Sequence, residues 1–200
     1  MGGHHPRWIW RPGPLGPQTS GRRGRPSSSF FECRSAKYLA DVRQRIGMAR
    51  TEDPLSRPEH RKVGAYAFNH AWSLLDRKKR TRAENDEMLH AAYASLYHWG
   101  RGGGPLNRSI GEWQVSRVNA VLGLSEPATF HGARALEIAR RGHLSPFYLA
   151  YGYEALARAA SVARDRTGRA KYLREAQRIG RRVKDADDRR MLFEDLATIR

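Results

Sequence analysis

A single cysteine, Cys33, occurs in 200 residues, so neither an internal disulfide framework nor a cysteine-based zinc site can form. No window approaches the roughly 18–20 consecutive apolar residues that a membrane-spanning helix needs. The first residues are basic but lack the apolar core of a secretory signal. Acidic residues are scarce as well. Asp and Glu number 20 against 37 Lys and Arg, which leaves a net charge of +17 and a pI near 10.9. The chain therefore reads as a soluble, basic, cytoplasmic protein, one domain's worth of residues plus a tail.

Positive charge is present throughout, and it is carried by arginine (31) far more than by lysine (6). Residues 1–47 hold +7 of it, with five of the ten prolines and seven of the nineteen glycines. Runs such as Arg11-Pro-Gly-Pro-Leu-Gly-Pro17 and Gly21-Arg-Arg-Gly-Arg-Pro-Ser-Ser-Ser29 lack backbone donors and raise the entropy cost of ordering. Too few apolar groups are present to offset that cost, so residues 1–55 are expected to be a disordered basic tail. A short helix over Ser35–Ile46 is the one exception the spacing allows. Met48 is expected to be the true start, with residues 1–47 a mis-called extension. The competing reading is a basic arm for nucleic acid or an acidic partner.

From residue 56 onward the signals are helical. Ser56-Arg-Pro58 opens a first helix reaching about Lys79, and Thr81-Arg-Ala-Glu84 has the form of a capping box for a second, ending at Trp99 before Gly100. A third spans about Asn107–Leu122. A fourth runs from Ser125 to Arg141, with Gly142 as a left-handed cap. A fifth runs from Ser145-Pro146 to about Ala163, a sixth is capped by Thr167 and reaches Val183, and a seventh runs from Asp185 to about Thr198. No alternating β-branched run competes. The fold class is all-α, with neighbouring helices antiparallel across short loops.

The helix faces indicate stacking. On the fourth helix Ala128, Gly132, Ala135 and Ala139 form a stripe of small residues. The fifth has two adjacent apolar stripes and only a narrow polar strip, Tyr151, Glu154, Arg158 and Ser161, which describes a helix sandwiched between neighbours. Ser116 aligns with Ala157 and Ala135 with Ala176, a recurrence of 41 residues. An α-solenoid of antiparallel hairpins over 56–200 is the expected architecture.

Val115-Ser116 followed by Ala128, Gly132 and Ala135, and Leu156-Ala157 followed by Leu173 and Ala176, resemble the tetratricopeptide repeat. The family's usual Leu-Gly and its tyrosine three residues on are replaced, and the period exceeds the usual 34 residues. The resemblance implies a non-enzymatic scaffold whose first helices line a concave groove for a protein or peptide. Carried onto this chain, it makes Trp113, Arg117, Tyr151, Glu154, Arg158 and Ser161 the partner-binding residues. Aromatic bodies and guanidinium forks suit that task. Against it stands a plainer reading: an ordinary i, i+4 pair Glu154–Arg158, a core Trp113, and Arg117 reaching a structural carboxylate.

No metalloprotease, phosphate-loop or nucleophile-elbow motif occurs, no metal or cofactor is implied, and the chain is read as no enzyme. His131 reads as a packed, hydrogen-bonded histidine. Arg77-Lys-Lys-Arg80 with Arg82 is the densest basic run in the helical part. It supports the alternative function, a nucleic-acid-associated basic helical protein, although cations also stabilise a helix C-terminus. Self-association through the seventh helix is a further expectation.

Overall fold

The computed structural model describes residues 53–200. Residues 1–52 of the tail expected over 1–55, the start at Met48 and the helix over 35–46 therefore lie outside the described residues. Among the described residues there are seven α-helices and no strand: α1 Arg57–Leu75, α2 Arg82–Gly102, α3 Pro105–Val121, α4 Ser125–Arg141, α5 Pro146–Val162, α6 Arg166–Gly180 and α7 Ala186–Ala197. None of them is long and apolar enough to cross a membrane.

Local chemistry sets these boundaries. The box at the start of α2 closes as its sequence implies: Thr81 Oγ1 accepts from the Glu84 amide at 3.2 Å and the Glu84 carboxylate accepts from the Thr81 amide at 2.6 Å. Asp185 accepts from the amides of Asp187 and Asp188, both at 2.9 Å, and so begins α7. Several boundaries differ from the sequence reading, among them the start of α3 at Pro105 instead of about Asn107. The first helix stops at Leu75 and not near Lys79, because Arg80 folds back and donates to the carbonyls of Leu74, Leu75 and Arg77. The second continues through Gly100 to Gly102. The sixth is capped by Asp165, two residues before Thr167, with the carboxylate on the Gly168 amide at 2.9 Å, and it ends at Gly180. Gly142 has an ordinary φ of −81°, and the left-handed residue of that turn is His143 at φ 49°.

Hairpins α1/α2, α3/α4 and α5/α6 pack in series, with α2 against α3, α4 against α5, and the first helices α3 and α5 in direct contact. The register repeats: α3 and α5 begin at Pro105 and Pro146, and α4 and α6 at Ser125 and Arg166, 41 residues apart in each case. Small residues sit where the helices cross. A Cβ on Gly152 would lie 2.8 Å from the Leu136 backbone, and one on Gly132 would lie 3.3 Å from Ala155. That close approach holds α4 against α5, and Ala128, Ala135, Ala139, Ala155, Ala157 and Ala159 are all buried.

The central helix is α3, buried at every residue from Ser109 to Ser116. Polar pins tie it to both sides. Gln114 Nε2 donates to the Phe68 carbonyl of α1 at 2.9 Å, and Ser109 and Ser116 donate to the Ala135 and Ala128 carbonyls of α4. Around it, fully buried Leu74, Met88 and Leu192 each contribute about 2 kcal/mol of apolar burial.

Candidate functional site

Five of the six residues expected to line a groove come together, but in a different role, and Ser161 lies apart from them near the chain's last residue. Glu154, one turn past Tyr151 on α5, is wholly buried. Its carboxylate accepts from the Trp113 indole at 3.0 Å, from Arg117 at 2.9 Å and from Arg158 Nε at 2.7 Å. From α7, Asp195 accepts from the Tyr151 hydroxyl at 2.9 Å and lies 3.5 Å from Arg117. Arg158 also donates to the Asp195 carbonyl at 3.2 Å and to Thr198 Oγ1 at 2.9 Å, and Ser161 donates to the Arg200 carbonyl.

This corrects the groove assignment. Trp113, Tyr151 and Glu154 are buried, and Arg117 and Arg158 have side chains only 16% and 15% exposed. Two guanidiniums and two carboxylates are closed on one another with α7 laid over them, so no open trough runs between α3 and α5 here. The space left beside Trp113 and Tyr151 is a cavity of about 10 Å³, room for one water at most. The plainer reading describes these residues: Trp113 is core, Arg117 reaches a structural carboxylate, and Glu154–Arg158 is an i, i+4 pair.

The electrostatics follow from that closure. Burial opposes the charge on Glu154, but Arg158 and Arg117 overcome it and hold the carboxyl below its ordinary range. For Asp195 burial wins, helped by the Glu154 charge and only partly countered by Arg117, and its carboxyl is pushed up. The Tyr151 phenol is raised as well, by burial and by both carboxylates. Asp195 and Thr198 could not be found from the sequence, since no pattern links them to Arg117 and Arg158 across about forty to eighty residues.

A second polar group lies where α2, α3 and α4 meet. Glu112 on α3 is buried and accepts from His131 Nδ1 at 2.6 Å and from Arg134 Nε at 2.8 Å. His131 Nε2 faces the Tyr93 hydroxyl at 3.1 Å. With the carboxylate accepting, Nδ1 carries the proton and Nε2 accepts from the phenol in the neutral ring. Both ring nitrogens are thus engaged, which agrees with His131 as a packed, hydrogen-bonded histidine. Burial opposes the Glu112 charge, and His131 and Arg134 hold its carboxyl low nonetheless.

Beside this group opens a cleft of about 550 Å³. Glu112 and Arg134 lie in its wall, with Arg108 and Arg141 at its edge and Leu96, Tyr97 and Ile138 supplying apolar surface. Arg108 is exposed with no ion-pair partner among the described residues, Tyr97 is 55% exposed, and Arg134 is half exposed beyond its bond to Glu112. Among the described residues no three histidine, cysteine or carboxylate side chains converge as a metal site. Neither a protein-family model, nor a curated protein, nor a solved structure matches this chain. Its class is the one its own geometry defines, an all-α stack of antiparallel helical hairpins.

Proposed function

We propose that the protein is a non-enzymatic helical-hairpin scaffold that binds a protein or peptide partner, and that the partner is received by the α2–α3–α4 cleft. One observation carries this reading. The cleft joins an exposed aromatic body, Tyr97, and the aliphatic edges of Leu96 and Ile138 to the guanidiniums of Arg108, Arg134 and Arg141. Aromatic and arginine side chains around a recess are what concentrates binding energy at protein interfaces. Glu112 holds Arg134 through Nε at 2.8 Å, so one guanidinium is already positioned for a peptide carboxylate, while the exposed Arg108 and Arg141, the latter paired with Glu137, can close on it. The resemblance to tetratricopeptide repeats supports the same class of function. A cytoplasmic setting belongs to this reading and rests on the scarcity of cysteine.

The test is affinity purification of the tagged full chain from cells that express it. A defined set of co-purifying proteins should be retained by wild type and by Lys78→Glu, and lost with Arg108→Glu/Arg141→Glu at an unchanged melting temperature. An identical protein set for all three would overturn the cleft as the binding surface.

A further inference from the structure

The described residues carry a second, differently built surface on the outside of the last hairpin. Residues 164–184 contain nine cations and two acids. Both acids are engaged: Asp165 caps α6 through the Gly168 amide, and Glu175 pairs with Arg178 at 2.8 Å. Lys171, Arg174, Arg178 and Arg181 fall at i, i+3, i+7 and i+10, a single outward strip about 15 Å long at 1.5 Å per residue. The opposite face, with Ala176 and Ile179, is buried against the core. Among the described residues Lys171, Arg174, Arg181, Arg182 and Lys184 make no ion pair, and all five are exposed.

We infer that the α6 strip is a binding surface for the phosphate backbone of double-stranded nucleic acid. This is separate from the cleft and independent of it. A row in which Lys171, Arg174 and Arg181 are unneutralised, with the paired Arg178 between them, is suited to a duplex, whose dense phosphates release counterions when cations replace them. The strip presents no exposed aromatic platform for unstacked bases; Tyr172 is half-buried. Gln177 on the same helix is half-buried and the strip itself holds only cations, so the contacts expected are to backbone phosphates.

The experiment is fluorescence anisotropy of the full chain with a mixed-sequence DNA duplex of about 20 base pairs and an RNA duplex of equal length, across a salt series. Each phosphate neutralised contributes about 0.9 to the slope of log K against log salt. Lys171→Ala/Arg174→Ala/Arg181→Ala should therefore lower that slope by about 2–3 and weaken binding at least about tenfold at low salt. Lys171→Arg/Arg174→Lys/Arg181→Lys should keep the wild-type slope. Circular dichroism checks that both variants keep wild-type helix content. The relative strength of the two duplex arms assigns the source of the phosphates. Three results would overturn the inference: no change in slope with the alanine variant, an equal drop with Arg77→Ala/Lys78→Ala/Lys79→Ala, or polyglutamate competing as well per charge as either duplex. The last would turn the strip over to an acidic protein partner.

Discussion

Arg117 and Arg158 lie within the hairpin stack and Arg174 and Arg181 lie on its outer side, and the same guanidinium group does opposite things in the two places. Inside, each fork is satisfied by Glu154, Asp195 and backbone or hydroxyl oxygens of the α7 segment, and the charges close on one another. Outside, the forks face solvent without a carboxylate. The run Arg77–Arg82 falls between the two. Arg80 donates to three carbonyls and to Asn85, and Arg77 pairs with Glu84, while Lys78 and Lys79 remain exposed. A count of cations along the chain therefore says little about where charge is available, because availability depends on whether the fold brings an oxygen to each cation.

The comparison breaks most readily at Glu154. Glu154→Gln keeps an acceptor for Trp113 but removes the only fully buried charge of the inner group, leaving two guanidiniums to share Asp195. Loss of one member of a buried pair costs about 3–5 kcal/mol, read as a fall in urea midpoint at unchanged slope. A loss below about 1 kcal/mol would mean that the inner cluster behaves like a surface pair.

Acidity sharpens the same contrast within the cluster, where the two carboxylates should respond with opposite sign. The carboxyl of Glu154 is held low in the fold, so its stabilisation is present above the ordinary carboxylate pKa and is lost as pH falls through the folded value. The carboxyl of Asp195 is raised, so its contribution is present at acid pH and is lost as pH rises through its folded value. The cost of Glu154→Gln should accordingly shrink as pH falls below the ordinary carboxylate range, whereas Asp195→Asn should cost least near neutrality and most in acid. Urea melts at intervals across that range check both, and slopes of the same sign would refute the assignment.

At Arg80 the expected effect is smaller. Arg80→Ala removes the donor that closes the carbonyl end of α1 and should cost about 1–2 kcal/mol, since bonds from a charged donor exceed neutral ones but this one is part-exposed. Thermal denaturation reads it, and Lys78→Ala is the matched control.

These differences mark what the sequence could convey. The helices, the hairpin order and the 41-residue register were legible because they rest on local signals: the capping pair Thr81/Glu84, prolines at first turns, and small residues at crossings such as Gly132 and Ala135. Tyr151, Glu154 and Arg158 were legible as one polar strip of α5 from helical spacing, and Trp113 and Arg117 were legible beside them only through the resemblance to tetratricopeptide repeats. Their burial was not, because it depends on α7, whose Asp195 arrives from 78 positions beyond Arg117. The cleft was hidden because it forms only where α2, α3 and α4 meet. Glu112 sits within a helix buried on nearly all sides, and nothing in its spacing from His131 and Arg134 distinguishes it from an exposed glutamate.

The smallest effect expected on stability is also the one that separates the two kinds of cation most cleanly. Arg174→Ala and Arg181→Ala remove exposed side chains with no carboxylate partner, and surface changes of that kind stay within about 0.5 kcal/mol. If the strip is under self-repulsion, removing both should even raise the melting temperature slightly at low salt, and the gain should vanish as salt shortens the Debye length below the spacing of the cations. Arg158→Ala, at 15% exposure with its fork on Glu154 and Thr198, must instead destabilise at every salt concentration. Parallel melts of the three variants at low and high salt test this. A salt-sensitive Arg158 or a strongly destabilising Arg174 would each erase the distinction between closed and available charge.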